Sequence, residues 1–254
     1  MTAEALPAVV AVLLAALYLA AAARVPWPAG RTAAFVTGAA LLALSAAPPL
    51  AAAAHHDPRA HAAVHLLAGM AAPAGLVLGA PVSLLLRAGS PALRRRVAPL
   101  LRSRALRVLS HPVTALALGP GAMAVLYLTP LFAATLHDPL LHAAVHAHVV
   151  LSGALLAWVV AGPDPAPHRP GPGVRLLVLG VAGAAHAVLA KTMYAGLHPR
   201  GAGYDPEALR EAAQLMYYGG DAVEVVLALA LCTAWYRAGG RELERVRRRR
   251  ARAG

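Results

Sequence analysis

The chain has 254 residues, 59% of them hydrophobic and only 13% charged, with a formal net charge of +12. A soluble domain of this length would carry about twice that charged fraction. Long apolar runs separate the charges, so a disordered chain and an ordinary soluble enzyme are excluded, and a polytopic membrane protein of about six to eight spans remains. The positive charge does not indicate nucleic acid, because no basic stretch is interleaved with stacking aromatics and only 5% of residues are aromatic. A single cysteine, Cys232, excludes an intramolecular disulfide and any CxxC motif.

Apolar windows predict helices over 6–23, 32–53, 59–87, 112–133, 139–161, 174–197 and 213–236. The first has Glu4 and no basic residue in its leader, unlike a cleaved secretory signal, and is read as a retained span. Pro26, Pro28, Pro48, Pro49, Pro91 and the Pro/Gly-rich stretch 162–173 punctuate the rest. The expected organisation is all-α: one seven-helix transmembrane domain over 1–240, then a solvated basic cytoplasmic tail over 241–254.

Charge sets the orientation. Seven spans put Arg24 and Arg31, seven arginines of 87–107, Arg169 and Arg175, and eight arginines of 237–252 on one side, nineteen of the 23 basic residues. Arg59, Lys191, Arg200 and Arg210 fall on the other. The N-terminus is therefore expected outside and the C-terminus in the cytoplasm.

The most informative local feature is a repeat. His56-Asp57-Pro58-Arg59-Ala60-His61-Ala62-Ala63-Val64-His65 returns as His137-Asp138-Pro139-Leu140-Leu141-His142-Ala143-Ala144-Val145-His146, identical at eight of ten positions. Aspartate is a preferred N-cap and proline suits the first helical position. Each segment should thus start a helix, with its His-x-x-x-His pair on one face roughly 6 and 12 Å below the start. Both starts fall on the outer side, so His61, His65, His142 and His146 are placed to converge.

Further polar residues share that half. His186 lies in the sixth helix. Tyr204-Asp205-Pro206 repeats the Asp-Pro start before the seventh, where Asp221 and Glu224 follow on one face. Intramembrane ionisable groups normally face the bundle interior or a cavity. Only His111 and His168 of the twelve histidines fall on the cytoplasmic side. His148 is about 200° around the helix from His146 and cannot readily share one ion with it. The loop residues His55, His56, His137 and His198 fit interfacial hydrogen bonding equally well, and Asp221 and Glu224 could instead neutralise Lys191. Met70, Met123, Met193 and Met216 read first as packing. Cys232 lies far from the cluster.

Imidazole-rich sites suit copper, zinc, iron and nickel. A copper site here would be histidine-based, with Met193 or Met216 as a soft ligand. Hydrolytic zinc chemistry is less supported, since there is no HExxH. Bis-His haem and a His/carboxylate dinuclear site remain open.

The segment His61 through His65-Leu66-Leu67-Ala68-Gly69-Met70-Ala71-Ala72-Pro73 to Leu78-Gly79-Ala80-Pro81-Val82 and Arg87 resembles the hallmark of the CtaG-like family of seven-helix cytochrome c oxidase assembly factors. Leu126-Tyr127-Leu128-Thr129-Pro130, His142-x-x-x-His146-x-His148, Gly162-Pro163-Asp164-Pro165 and His186-Ala187 resemble it too, over roughly 35–237. The resemblance implies maturation of a haem-copper terminal oxidase in a bacterial cell membrane, with oxidase subunits and other copper chaperones as partners. It implies copper delivery at the outer side and no catalysis. By position the family's histidines correspond to His61, His65, His142, His146, His148 and His186; Asp221 and Glu224 join the set from their placement alone. Two departures leave the client oxidase open: Lys191 stands at an apolar position, and the seventh helix begins Leu215-Met216-Tyr217-Tyr218-Gly219-Gly220-Asp221 rather than Gly-Gly-x-x-Met-Trp. The competing readings are a membrane redox protein or metalloenzyme, and a scaffold whose histidines only line a polar cavity.

Overall fold

Proline and glycine decide where the apolar segments bend. A computed structural model describes residues 6–251, and among these no strand occurs. The helices are α1 (Leu6–Ala22), α2 (Ala29–Ser45), α3 (Pro48–Ala54), α4 (Pro58–His65), α5 (Ala72–Leu78), α6 (Pro81–Ala88), α7 (Pro91–Leu101), α8 (Arg104–Leu109), α9 (Pro112–Leu116), α10 (Ala122–Leu128), α11 (Leu131–Thr135), α12 (Pro139–Ala161), α13 (Pro172–Tyr194) and α14 (Pro206–Arg250). All seven expected segments are helical, and four run unbroken: 6–23, 139–161 and 174–197 close to their expected limits, and 213–236 within the longer α14. The segment 32–53 bends by 57° between α2 and α3, at Pro48. The segment 59–87 breaks at Ala80, which adopts a left-handed φ of 55° before Pro81. The segment 112–133 ends at Thr129 and resumes after Pro130.

Among the described residues, four helical stretches are long and apolar enough to cross a membrane, and five if α2 and α3 form one bent span. The remaining two candidates are short. Leu6–Ala22 has 17 residues, about 25 Å, against a hydrocarbon core of about 30 Å. Pro112–Leu128 is the other short apolar helix. Outward-facing Leu151, Leu177 and Leu229 are 69, 66 and 62% exposed, a surface suited to lipid. The basic stretch 88–111 contains α7 and α8, which bury none of their residues. The expected tail continues α14 in helical form to Arg250.

Two π-helical turns interrupt the bundle, and each has a proline in or just after it. Leu66–Ala71 joins α4 to α5 ahead of Pro73, and Ala117–Gly121 joins α9 to α10 and contains Pro120. Proline has no N–H, so the carbonyl four residues earlier loses its helical donor. For Pro73 that carbonyl belongs to Gly69, and α12 packs directly on it. A Cβ at Gly153 would fall on the Gly69 oxygen. A second close approach joins α2 to α5, where a Cβ at Gly75 would lie 2.8 Å from the Ala34 oxygen and the Gly38 Cα. Small residues permit such backbone contact between apolar helices, which have no hydrophobic driving force between them in lipid.

The two ends of the bundle differ in chemistry. At one end Asp164, buried at 4% exposure, accepts hydrogen bonds from the backbone N–H groups of Val82 (3.0 Å) and Ser83 (2.7 Å). Arg169 donates to the Asp164 carbonyl, and Arg175 Nε donates to the Val160 carbonyl at 2.6 Å. Nearby, Tyr18 stacks on Phe35 and donates to the Gly79 carbonyl at 2.7 Å, with Trp27 Nε1 donating to the Tyr18 hydroxyl. The other end collects the starts of α4, α12 and α14.

Candidate metal centre

The Asp-Pro pairs behave as their chemistry requires. Asp57 accepts from Arg59 N at 2.8 Å, Asp138 from Leu140 N and Leu141 N at 2.9 and 3.1 Å, and Asp205 from Glu207 N and Ala208 N at 3.0 and 2.9 Å. Pro58, Pro139 and Pro206 each open the helix that follows. Arg59 bridges Asp57 and Glu211, each at 3.0 Å, tying the start of α4 to α14. The Arg59 side chain holds the Asp57 carboxyl below its ordinary range.

The repeat therefore projects its histidines from two helices at one depth. His61 and His146 have ring centres 6.2 Å apart, and His142 lies 4.3 Å from His146. Between them is a cavity of about 20 Å³, lined by His61, His65, His142, His146 and Met123 together with apolar side chains. That is room for one water or one ion. Phe132 closes one wall, 5.0 Å from the His61 ring, and Tyr204 packs edge-on against Phe132 at 6.2 Å. Burial pushes the Tyr204 phenol up to about 12.

A second pair sits deeper. His65 is buried and its ring lies 6.2 Å from that of His186 on α13. Gly220 on α14 makes room for the His186 ring, which a Cβ there would strike. Asp221 is exposed, and the Glu224 carboxylate lies against Gly183. Neither carboxylate lines the cavity. Lys191 Nζ lies over the Tyr217 ring, 5.8 Å from its centre.

His148 is turned elsewhere. Its Nε2 lies 2.8 Å from the Leu118 carbonyl, within the second π turn. This bond places the proton on Nε2. Replacing His148 with alanine is expected to leave that carbonyl unsatisfied, costing about 1–3 kcal/mol, without changing metal stoichiometry. Thermal unfolding in detergent and metal analysis of the same sample separate the two effects.

Among the described residues, no group of three His, Cys, Asp or Glu side chains stands ready as a coordination sphere. Imidazole nitrogens nevertheless await partners. His61 Nδ1 and His186 Nε2 are both buried without a hydrogen-bond partner. A metal about 2 Å from each of two imidazole nitrogens leaves the ring centres about 5–6 Å apart, close to the 6.2 Å of the His61–His146 and His65–His186 pairs, while His142 and His146 are nearer at 4.3 Å. The donor set and the small cavity thus fit a histidine-bound ion. Of the methionines, Met123 lines the cavity, while the expected soft ligands Met193 and Met216 are buried in the core beside Leu126 and Tyr127.

Sequence reading left one member of the group open. His55 is exposed on the turn after α3, and its ring is 5.1 Å from that of His142. It precedes the repeat and has no counterpart histidine in the second copy, so only the bend between α2 and α3 brings it there.

The model of the family described as cytochrome c oxidase caa3 assembly factor (Caa3_CtaG) matches residues 13–238. The chain belongs to this family of cytochrome c oxidase assembly factors. No curated protein and no solved structure matched.

Proposed function

We propose, from this family membership, that the protein matures a haem-copper terminal oxidase by holding copper in its outer histidine cluster and passing it to the enzyme. In this reading the chain makes seven spans in a bacterial cell membrane, with its N-terminus outside and its C-terminus in the cytoplasm. The nineteen basic residues assigned to one side support that orientation. His61, His65, His142, His146 and His186 hold the cargo. Oxidase subunits receive it and other copper chaperones supply it, and no bond of a substrate is made or broken.

The observation that carries this reading is the cavity shared by both copies of the repeat, with a buried, partnerless nitrogen of His61 on its wall. About 20 Å³ suits a single ion; it offers no slot for a tetrapyrrole between the histidines. The test is metal analysis of purified protein beside His65→Ala/His146→Ala. Wild type is expected to retain stoichiometric copper, with no Soret band, and the double variant to lose it. Equal, near-zero copper in both would sink the proposal, and a Soret band would favour the haem reading.

A further inference from the structure

The histidines form a file from the surface inward, and not a single cluster. His55 is exposed, His142, His146, His61 and His186 are half-buried, and His65 is buried. Successive ring centres are 5.1 Å apart from His55 to His142, 4.3 Å to His146 and 6.2 Å to His61. His65 follows one turn below His61 on the same face, and its ring is 6.2 Å from that of His186. The two 6.2 Å pairs have another property in common. Each contains one imidazole nitrogen that is buried without a partner: Nδ1 of His61 in the outer pair, Nε2 of His186 in the inner.

Two opposed nitrogens, each about 2 Å from one ion, put their ring centres roughly 6 Å apart. Monovalent copper accepts such two-coordinate ligation, and divalent copper prefers a tetragonal set of four or more donors. Pairs of imidazoles spaced in this way therefore suit the monovalent ion. Passage from one pair to the next needs only a third imidazole to bind before the first lets go. Copper remains Cu(I), so no oxidant or reductant is required, and neutral imidazoles exchange without proton transfer.

We propose that the file is a conduit with two serial Cu(I) stations, His61–His146 outside and His65–His186 within, loaded from the surface through His55 and His142. This rests on the copper-holding function proposed above and adds to it the oxidation state, the number of stations and a capture residue. His55 acts there as a positioning and capture group on the path, so its loss should alter the rate of loading and not the final amount.

The experiment is an anaerobic titration of the full-length protein in detergent with Cu(I), against a chromophoric Cu(I) chelator as competitor. Wild type should take up two ions, and X-ray absorption should find two nitrogen neighbours per copper. His186→Gln, which keeps the side-chain bulk, should lose one ion while circular dichroism stays helical. His55→Ala should reach two ions several-fold more slowly. A wild type that binds one ion, a His186→Gln protein that still binds two, or unchanged loading by His55→Ala would each overturn the conduit while leaving copper holding intact. No binding by wild type would overturn both.

Discussion

Gly153→Leu is expected to drive α12 away from the first π turn and to abolish metal uptake together with most of the stability of the bundle. The Gly69 carbonyl already occupies the space where any Cβ at position 153 would go, and Pro73 Cγ lies 3.3 Å from it. Neither obstacle is the flexible end of a side chain, so one backbone must move. Even Gly153→Ala should cost about 1–3 kcal/mol, the usual range for overpacking. Because α12 carries His142 and His146 and the π turn directly follows His65, the shift opens the His61–His146 gap. Gly180→Ala provides the control. A Cβ there meets nothing within 4 Å, and alanine favours the helix by up to about 1 kcal/mol. Thermal unfolding in detergent with copper analysis should rank the proteins as Gly180→Ala, at least equal to wild type, then Gly153→Ala, then Gly153→Leu. A Gly153→Leu protein as stable as wild type would contradict the close contact.

Asp164→Ala is expected to unfasten the opposite end. The buried carboxylate accepts from two backbone N–H groups at the start of α6, which otherwise have no intrahelical partner. Bonds to a carboxylate acceptor contribute about 1.5–3 kcal/mol each, so the loss of two should total roughly 3–6 kcal/mol. Asp164→Asn keeps one acceptor oxygen and should lose about half as much. Hydrogen exchange at the amides of Val82 and Ser83 should accelerate in both variants. Copper stoichiometry should hold, because Asp164 lies at the end of the bundle away from the histidines. Equal exchange rates in wild type and Asp164→Ala would show that the cap contributes nothing.

Much of this was legible in the residues themselves. An Asp-Pro pair is a local instruction: the aspartate side chain reaches N–H groups two and three residues ahead, and proline suits the first helical position. The starts at Pro58, Pro139 and Pro206 were therefore readable without any tertiary information. So was the pairing of His61 with His65 and of His142 with His146, since helical periodicity alone puts them on one face. The breaks were less legible. Pro48, Pro81 and Pro130 were visible, but a proline in an apolar run can kink a span, end it or be absorbed. Which occurs depends on what satisfies the carbonyl it orphans. The helices α7 and α8 were missed because a charge-rich segment with so few apolar contacts gives weak periodicity, although Ser90 and Ser103 cap both.

The helical class, the segregation of arginine from histidine along the chain, and the two matched histidine pairs are all written in the residues, because they follow from composition and from bonding over a few positions. The tertiary structure decided which histidines meet. His55 joins His142 only through the bend at Pro48, and His186 meets His65 only where Gly220 leaves space. His148 is diverted to the Leu118 carbonyl. It likewise joined two sequence motifs 81 to 82 residues apart, by placing Asp164 over the N–H groups that follow Pro81. The physical reason is one of range: a cap or a helical face is specified within a turn or two, whereas the approach of two helices depends on the absence of a Cβ on both sides of the contact.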